Sequence, residues 1–187
     1  MIAEHPYAFF ITVTALVLLA LLIWSMRRRR RLPAEVAVAR ASVSAMRRIL
    51  VPIRGFAHEE RAVELACRLG QEQRSQILLV YVIEVPLSLS LGTDLPEQQE
   101  RAEEALRRSV ELVKTHGLEP VSVIERDRDA GKGIIKVAQQ HAVDVVVVGL
   151  NPGRSVAVDP VGPTTEWLLR RAKFEVIVDR PAPELIE

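Results

Sequence analysis

The sequence predicts an α/β domain, a five-stranded parallel sheet in the order 3-2-1-4-5 with helices on both faces, behind one N-terminal transmembrane helix. Three observations carry this expectation. Continuous apolar runs such as QILLVYVIEV, from Gln76 to Val85, leave no polar face, so these strands are covered on both sides. Segments with apolar residues at helical spacing separate the runs, which makes neighbouring strands parallel. Ala8 to Met26 (AFFITVTALVLLALLIWSM) holds no charge and is long enough to cross a hydrocarbon core of about 30 Å.

Residues 1 to 7 form a short extracytoplasmic N-terminus on this reading. Within the span, Thr12, Thr14 and Ser25 are tolerable because a helix lets a hydroxyl bond a backbone carbonyl. Trp24 lies near one end, at headgroup level. Only Glu4 and His5 precede the span, whereas Arg27 to Arg31 follow it without a break. The positive-inside bias places those arginines, and everything after them, in the cytoplasm: a single-pass protein of the cell (inner) membrane. A cleaved signal peptide would need positive charge before the apolar run and small residues after it, and neither is present. Total charge is close to balance, at +1, which gives no nucleic-acid footprint. The arginine run is accounted for by stop-transfer and contact with anionic lipid. Residues 27 to 46 form a basic juxtamembrane segment and linker. Its second part, LPAEVAVARASVSAM, reads as a helix or as an irregular tether.

The compact domain runs from Arg47 to residue 187. Ile49 to Ile53 is the first strand. Glu59 to Leu69 is a helix with Ala62, Leu65, Ala66 and Leu69 on one stripe, and Gly70 suits its end. Gln76 to Val85 is the second strand. Pro96 to His116 is a long helix facing inward through Ala102, Ala105, Leu106, Ser109, Val110 and Val113, and Gly117 ends it. Glu119 to Glu125 is the third strand. Ala130 to Gln140 is a helix that buries Ile134, Val137 and Ala138. Val143 to Val148 is the fourth strand, Thr164 to Ala172 the last helix, Phe174 to Val178 the fifth strand. Right-handed crossovers leave few topologies. In such sheets ligands bind beyond the carboxyl ends of the strands where the order reverses, here between the first and fourth strands. Two loops bound that crevice, RGFAH from Arg54 to His58 and the long Gly149 to Gly162.

Backbone N–H groups in glycine turns and at helix N-termini hold phosphates. Gly149, Gly153 and Gly162 are placed for that, and GPTT leads directly into a helix. Thr164 equally suits a plain N-cap, the commoner use of threonine there, and Arg154 equally suits a solvated loop charge. Gly131-Lys132-Gly133 lacks the earlier glycine of a phosphate loop, since position 126 is arginine; it starts a helix with Asp129 as cap. The single cysteine, Cys67, sits on a core-facing stripe. Four scattered histidines show no ligand spacing, so no metal site is expected.

Several segments together resemble the universal stress protein family: RRILVPIRG with AVELACRLG, ILLVYVIEVP, AGKGIIKVAQQHAVDVVVVG, and GPTTEWLLRRAKFEVIVDRP. The resemblance covers Arg47 to Pro181 and implies an adenine-nucleotide alpha-hydrolase-like fold, a cytoplasmic setting and dimers. The ATP-binding kind resembles G-x2-G-x9-G-[S/T] at its loop. Here Gly149 and Gly153 are separated by three residues and Gly153 and Gly162 by eight, so the total span is kept while the internal spacing is not. Pro163 follows the last glycine and lacks an N–H. Binding members carry an aspartate after the first strand that contacts the nucleoside; Arg54 stands there. Arginine accepts no hydrogen bond, so it suits an anion. By resemblance, Ile53, Arg54, Val82, Val148, Gly149, Gly153, Arg154, Gly162 and Thr164 would line the site, with ATP or another adenine nucleotide as the ligand.

No Ser/His/Asp set and no carboxylate pair is placed for catalysis in the crevice, so enzymes of the related electron-transfer-flavoprotein and nucleotidyl-transfer folds are not favoured. The expected function is a membrane-anchored cytoplasmic regulatory or binding module without catalysis, whose nucleotide site is degenerate. The alternative is an adenine-nucleotide-binding stress-response protein with little or no hydrolysis. The fifth strand would be an apolar sheet edge if left alone, which together with the family implies a homodimer through it. A membrane protein is the expected neighbour.

Overall fold

A computed structural model describes residues 46–151 and 161–180, together with Val13, Leu16–Leu19 and Trp24. The chain divides into two units, Met1–Ser44 and Ala45–Glu187. In the first unit the described residues are helical, and their apolar side chains are exposed. Most of the expected span Ala8 to Met26 lies outside the described residues, as do Arg27 to Arg31 and the linker up to residue 45. Among the described residues no helix is long and apolar enough to cross a membrane.

The second unit is built around a sheet of five parallel strands in the order β3-β2-β1-β4-β5. The elements are β1 (Arg48–Pro52), α1 (Ala57–Gly70), β2 (Gln76–Glu84), α2 (Pro96–Thr115), β3 (Glu119–Asp127), α3 (Ala130–Gln140), β4 (Val145–Gly149), α4 (Pro163–Arg171) and β5 (Glu175–Asp179). Alternation sends successive residues of each central strand to opposite faces. Ile49, Val51, Leu79 and Val147 meet Ala62, Val63, Ala66 and Cys67 of α1 and Leu106 and Val113 of α2. Leu50, Leu78, Val80, Val146 and Val148 meet Ile134, Val137 and Ala138 of α3 and Leu168 of α4. Both faces are covered, which is why these strands read as unbroken apolar runs. β3 and β5 lie at the two edges and are only partly buried.

Several boundaries differ from expectation for local reasons. β4 starts at Val145, just after Asp144, whose backbone N–H donates to the Arg48 carbonyl at 3.0 Å and one of whose carboxylate oxygens accepts from the N–H groups of Arg47 and Arg48, at 2.8 and 2.9 Å. Met46, placed in the linker by sequence, is 7 % exposed and part of the core, and Ser75 donates its hydroxyl to the Met46 carbonyl at 2.5 Å. Gly70 does not serve as a left-handed helix stop. A Cβ there would lie 2.9 Å from Ser75 Cβ, so packing demands glycine, and the left-handed residue is Arg74 at φ 51°. Asp129 does cap α3, accepting from Lys132 N at 3.0 Å.

Candidate functional site

The carboxyl ends of β1, β2 and β4 end in a cavity of about 310 Å³. Its floor is apolar: Val80 and Val82 from β2, Val148 from β4, and Ala130 and Ile134 from α3. Its polar wall is Gly149 to Asn151 on one side and Val161 to Thr165, the start of α4, on the other. Of the residues expected from sequence, Ile53, Arg54, Val82, Val148, Gly149, Gly162 and Thr164 all line it. Gly153 and Arg154 lie outside the described residues.

Gly162 is the N-cap of α4, with φ 80° and ψ 156°, and Pro163 is the first helical residue. Proline fits that position because its missing N–H would have had no helical partner. The consequence is that the first free N–H of the helix belongs to Thr164. Thr165 is the more buried of the two threonines, at 4 % exposure, and also lines the cavity. Its position was legible in the helix phase: Thr165 lies three residues before the fully buried Leu168, so both share the inward face.

The β1–α1 loop is organised by a residue that the sequence reading missed. Glu59 is 6 % exposed, and its Oε2 accepts from three successive backbone N–H groups: Arg54 at 2.7 Å, Gly55 at 2.8 Å and Phe56 at 3.0 Å. A nest of N–H groups like this commonly takes an external anion. Here the protein's own carboxylate fills it. The available signal was a glutamate at the third helical position, which reaches back to the N-cap backbone in a capping box. With the loop's N–H groups taken by Glu59, the residues that line the cavity here are Arg54, Phe56, His58 and Glu59 itself. Phe56 and His58 stack, with ring centroids 5.5 Å apart and planes 11° from parallel.

Arg54 has a protein partner. Its Nη2 donates to Glu84 Oε2 at 2.8 Å, and Glu84 Oε1 accepts from the backbone N–H of Ala130 at 3.1 Å. The guanidinium is thus tied through Glu84 to the first turn of α3. Gly149 has a packing reason: a Cβ there would lie 3.1 Å from the His58 carbonyl, so β4 and α1 approach closely at this point. Away from the cavity, Cys67 is buried, and burial, with the nearby Glu64 charge, pushes its thiol up to about 11. Among the described residues no group of His, Cys, Asp and Glu could hold a metal ion.

A model of the universal stress protein family matches residues 46–180. The chain belongs to the universal stress protein family. Solved universal stress proteins share its fold. UspA from Lactobacillus plantarum is 22 % identical, with a TM-score of 0.60 over 72 % of this chain and 98 % of that one. A universal stress protein from Archaeoglobus fulgidus, solved in complex with dAMP, is 17 % identical, with a TM-score of 0.58 over 70 % of this chain and 94 % of that one. An Arabidopsis thaliana family member with AMP bound is 15 % identical, with a TM-score of 0.56 over 75 % of this chain and 95 % of that one. Comparison with curated proteins found no match. At these identities the likeness concerns the fold.

Proposed function

We propose that the universal stress protein domain is a regulatory binding module without catalysis of its own, and that its cavity takes a purine nucleotide. The observation that carries this is the composition of the cavity. An apolar floor suited to a flat ring, from Val80, Val82, Val148 and Ile134, faces a helix start that offers the Thr164 N–H and the Thr165 hydroxyl to a phosphate. That structural neighbours were solved with dAMP and AMP makes adenine nucleotides the first ligands to try. Titration calorimetry of the full chain in detergent, with AMP and with ATP and magnesium, tests it. Saturable binding that weakens about tenfold in Thr165→Val supports the reading.

A second reading has its own support. Pro163 removes one N–H from the helix start, and the Arg54 guanidinium is already committed to Glu84. On that reading the site no longer takes nucleotide, and millimolar AMP or ATP gives no heat.

The domain is also proposed to be held at the inner face of the cell membrane by Ala8 to Met26, beside a membrane protein and with Arg27 to Arg31 on the cytoplasmic side. The charge asymmetry of the flanks supports this. Alkaline carbonate should leave the full chain in the membrane pellet, and deletion of residues 1–31 should release it; a full chain extracted by carbonate would refute the anchor. Pairing of two copies through β5 completes the proposal, since among the described residues that edge strand pairs only with β4.

A further inference from the structure

The RGFAH loop reaches the cavity through Arg54, Phe56 and His58. Glu59 pins its backbone through three hydrogen bonds, which fixes the points from which its side chains leave the chain. Phe56 is 56 % exposed and brings an aromatic ring to a cavity whose apolar floor is otherwise aliphatic and whose charged lining residues are Arg54 and Glu59. His58 lies against one face of the Phe56 ring, nearly parallel to it. More than half of Phe56 stays exposed beside that contact, which leaves ring surface for a further stacking partner.

Two residues earlier, Arg54 lines the same cavity, whereas its partner Glu84 does not. Of the ion pair, the cation is the member that borders the cavity. A guanidinium has only donors; this one gives its Nη2 to Glu84 Oε2, while Glu84 Oε1 is held by the Ala130 N–H. A ligand group meeting it must accept hydrogen bonds.

We propose that this loop selects the base of the bound nucleotide: Phe56, braced by His58, stacks on the ring, and Arg54 reads an acceptor edge, so that a 6-oxo purine is preferred to a 6-amino purine. The O6 and N7 of a 6-oxo purine form the acceptor pair that arginine donates to in a two-pronged fashion. A 6-amino purine puts a donor where the guanidinium also donates. The inference rests on the reading of the cavity as a purine nucleotide site, and one experiment separates the two.

The full chain in detergent is titrated with GMP and with AMP, as wild type, Phe56→Ala, Phe56→Tyr and Arg54→Ala. Both substituted side chains are more than half exposed, so the variants should fold, and their melting curves check this. Expected are GMP binding about tenfold tighter than AMP, and a ratio near unity in Arg54→Ala. Phe56→Ala should weaken both nucleotides by about fivefold or more, with the ratio kept, and Phe56→Tyr should restore them. Binding of both nucleotides without preference, or with no dependence on Phe56, overturns this inference and leaves the purine site standing. Binding of neither overturns both.

Discussion

Glu59 satisfies three backbone donors with a single oxygen, and nothing else described in the loop can replace it. Removing the carboxylate in Glu59→Ala leaves those N–H groups to whatever water reaches the cavity. The expected loss is about 2 kcal/mol of unfolding free energy, read from urea denaturation, with Glu59→Gln losing about half as much because an oxygen acceptor remains. An Ala variant as stable as wild type would mean that the nest is fully hydrated without Glu59. The same residue shows the limit of reading single positions from sequence. A glutamate in the first turn of a helix was visible, and so was its favourable place near the helix dipole. Which N–H groups it would collect depended on the turn taken by Arg54, Gly55 and Phe56, with Gly55 at φ 93°. Arg54 is similar: its charge was plain, but its partner Glu84 is 30 residues away, at the end of the neighbouring strand.

Two contacts between elements make separate claims. Gly133 lets α3 lie on β2: a Cβ there would come within 2.7 Å of Val82 Cγ1 and 3.0 Å of its Cγ2. Valine is stiff at χ1 and cannot swing aside. Gly133→Ala should therefore destabilise the domain by about 1–3 kcal/mol despite alanine's higher helix propensity. The double variant Gly133→Ala with Val82→Ala should cost less than the sum of the two single changes. Thermal melts of the four proteins decide this, and simple additivity would show that the helix shifts without strain.

The second contact joins α1 to α2. Glu64 accepts from Arg68 Nε at 2.9 Å and pairs with His116 Nε2 at 2.6 Å. Arg68, and then His116, hold the Glu64 carboxyl below its ordinary value of 4.5. A depressed folded-state value means that the contribution is present above pH 4.5 and is lost as pH falls through the folded value. Both partners reach solvent, so less than about 1 kcal/mol is expected. Denaturant midpoints measured from pH 7 to pH 3 should fall less steeply in Glu64→Gln than in wild type, and identical slopes would remove Glu64 as a contributor.

For the whole molecule, the sheet determines both the site and the proposed assembly. Among the described residues β5 pairs with β4 alone and is the last strand of the sheet. Sedimentation of the full chain in detergent should give a dimer, and a monomer at all concentrations would refute pairing through β5. The strand order was legible in the sequence because the apolar runs and helical stripes alternate without exception from Ile49 onward, and right-handed crossovers leave few ways to arrange them. The general position of the site followed from the same order. Seven residues placed there by sequence do line one cavity, because backbone at a strand end is located by topology alone. The loop that holds Phe56 and His58 was expected at the crevice and Thr165 at the helix start, whereas Glu59 was not foreseen, because its partners are set by the turn of the loop. Sequence by itself determined the alternation of elements, the parallel sheet and the loops that meet at its switch point, since burial pattern and chain connectivity are local properties. Only the tertiary structure decided that the β1–α1 loop turns its N–H groups onto Glu59, and that Arg54 is tied to Glu84. Those outcomes depend on hydrogen-bond geometry and on contacts between strands that are distant in the chain.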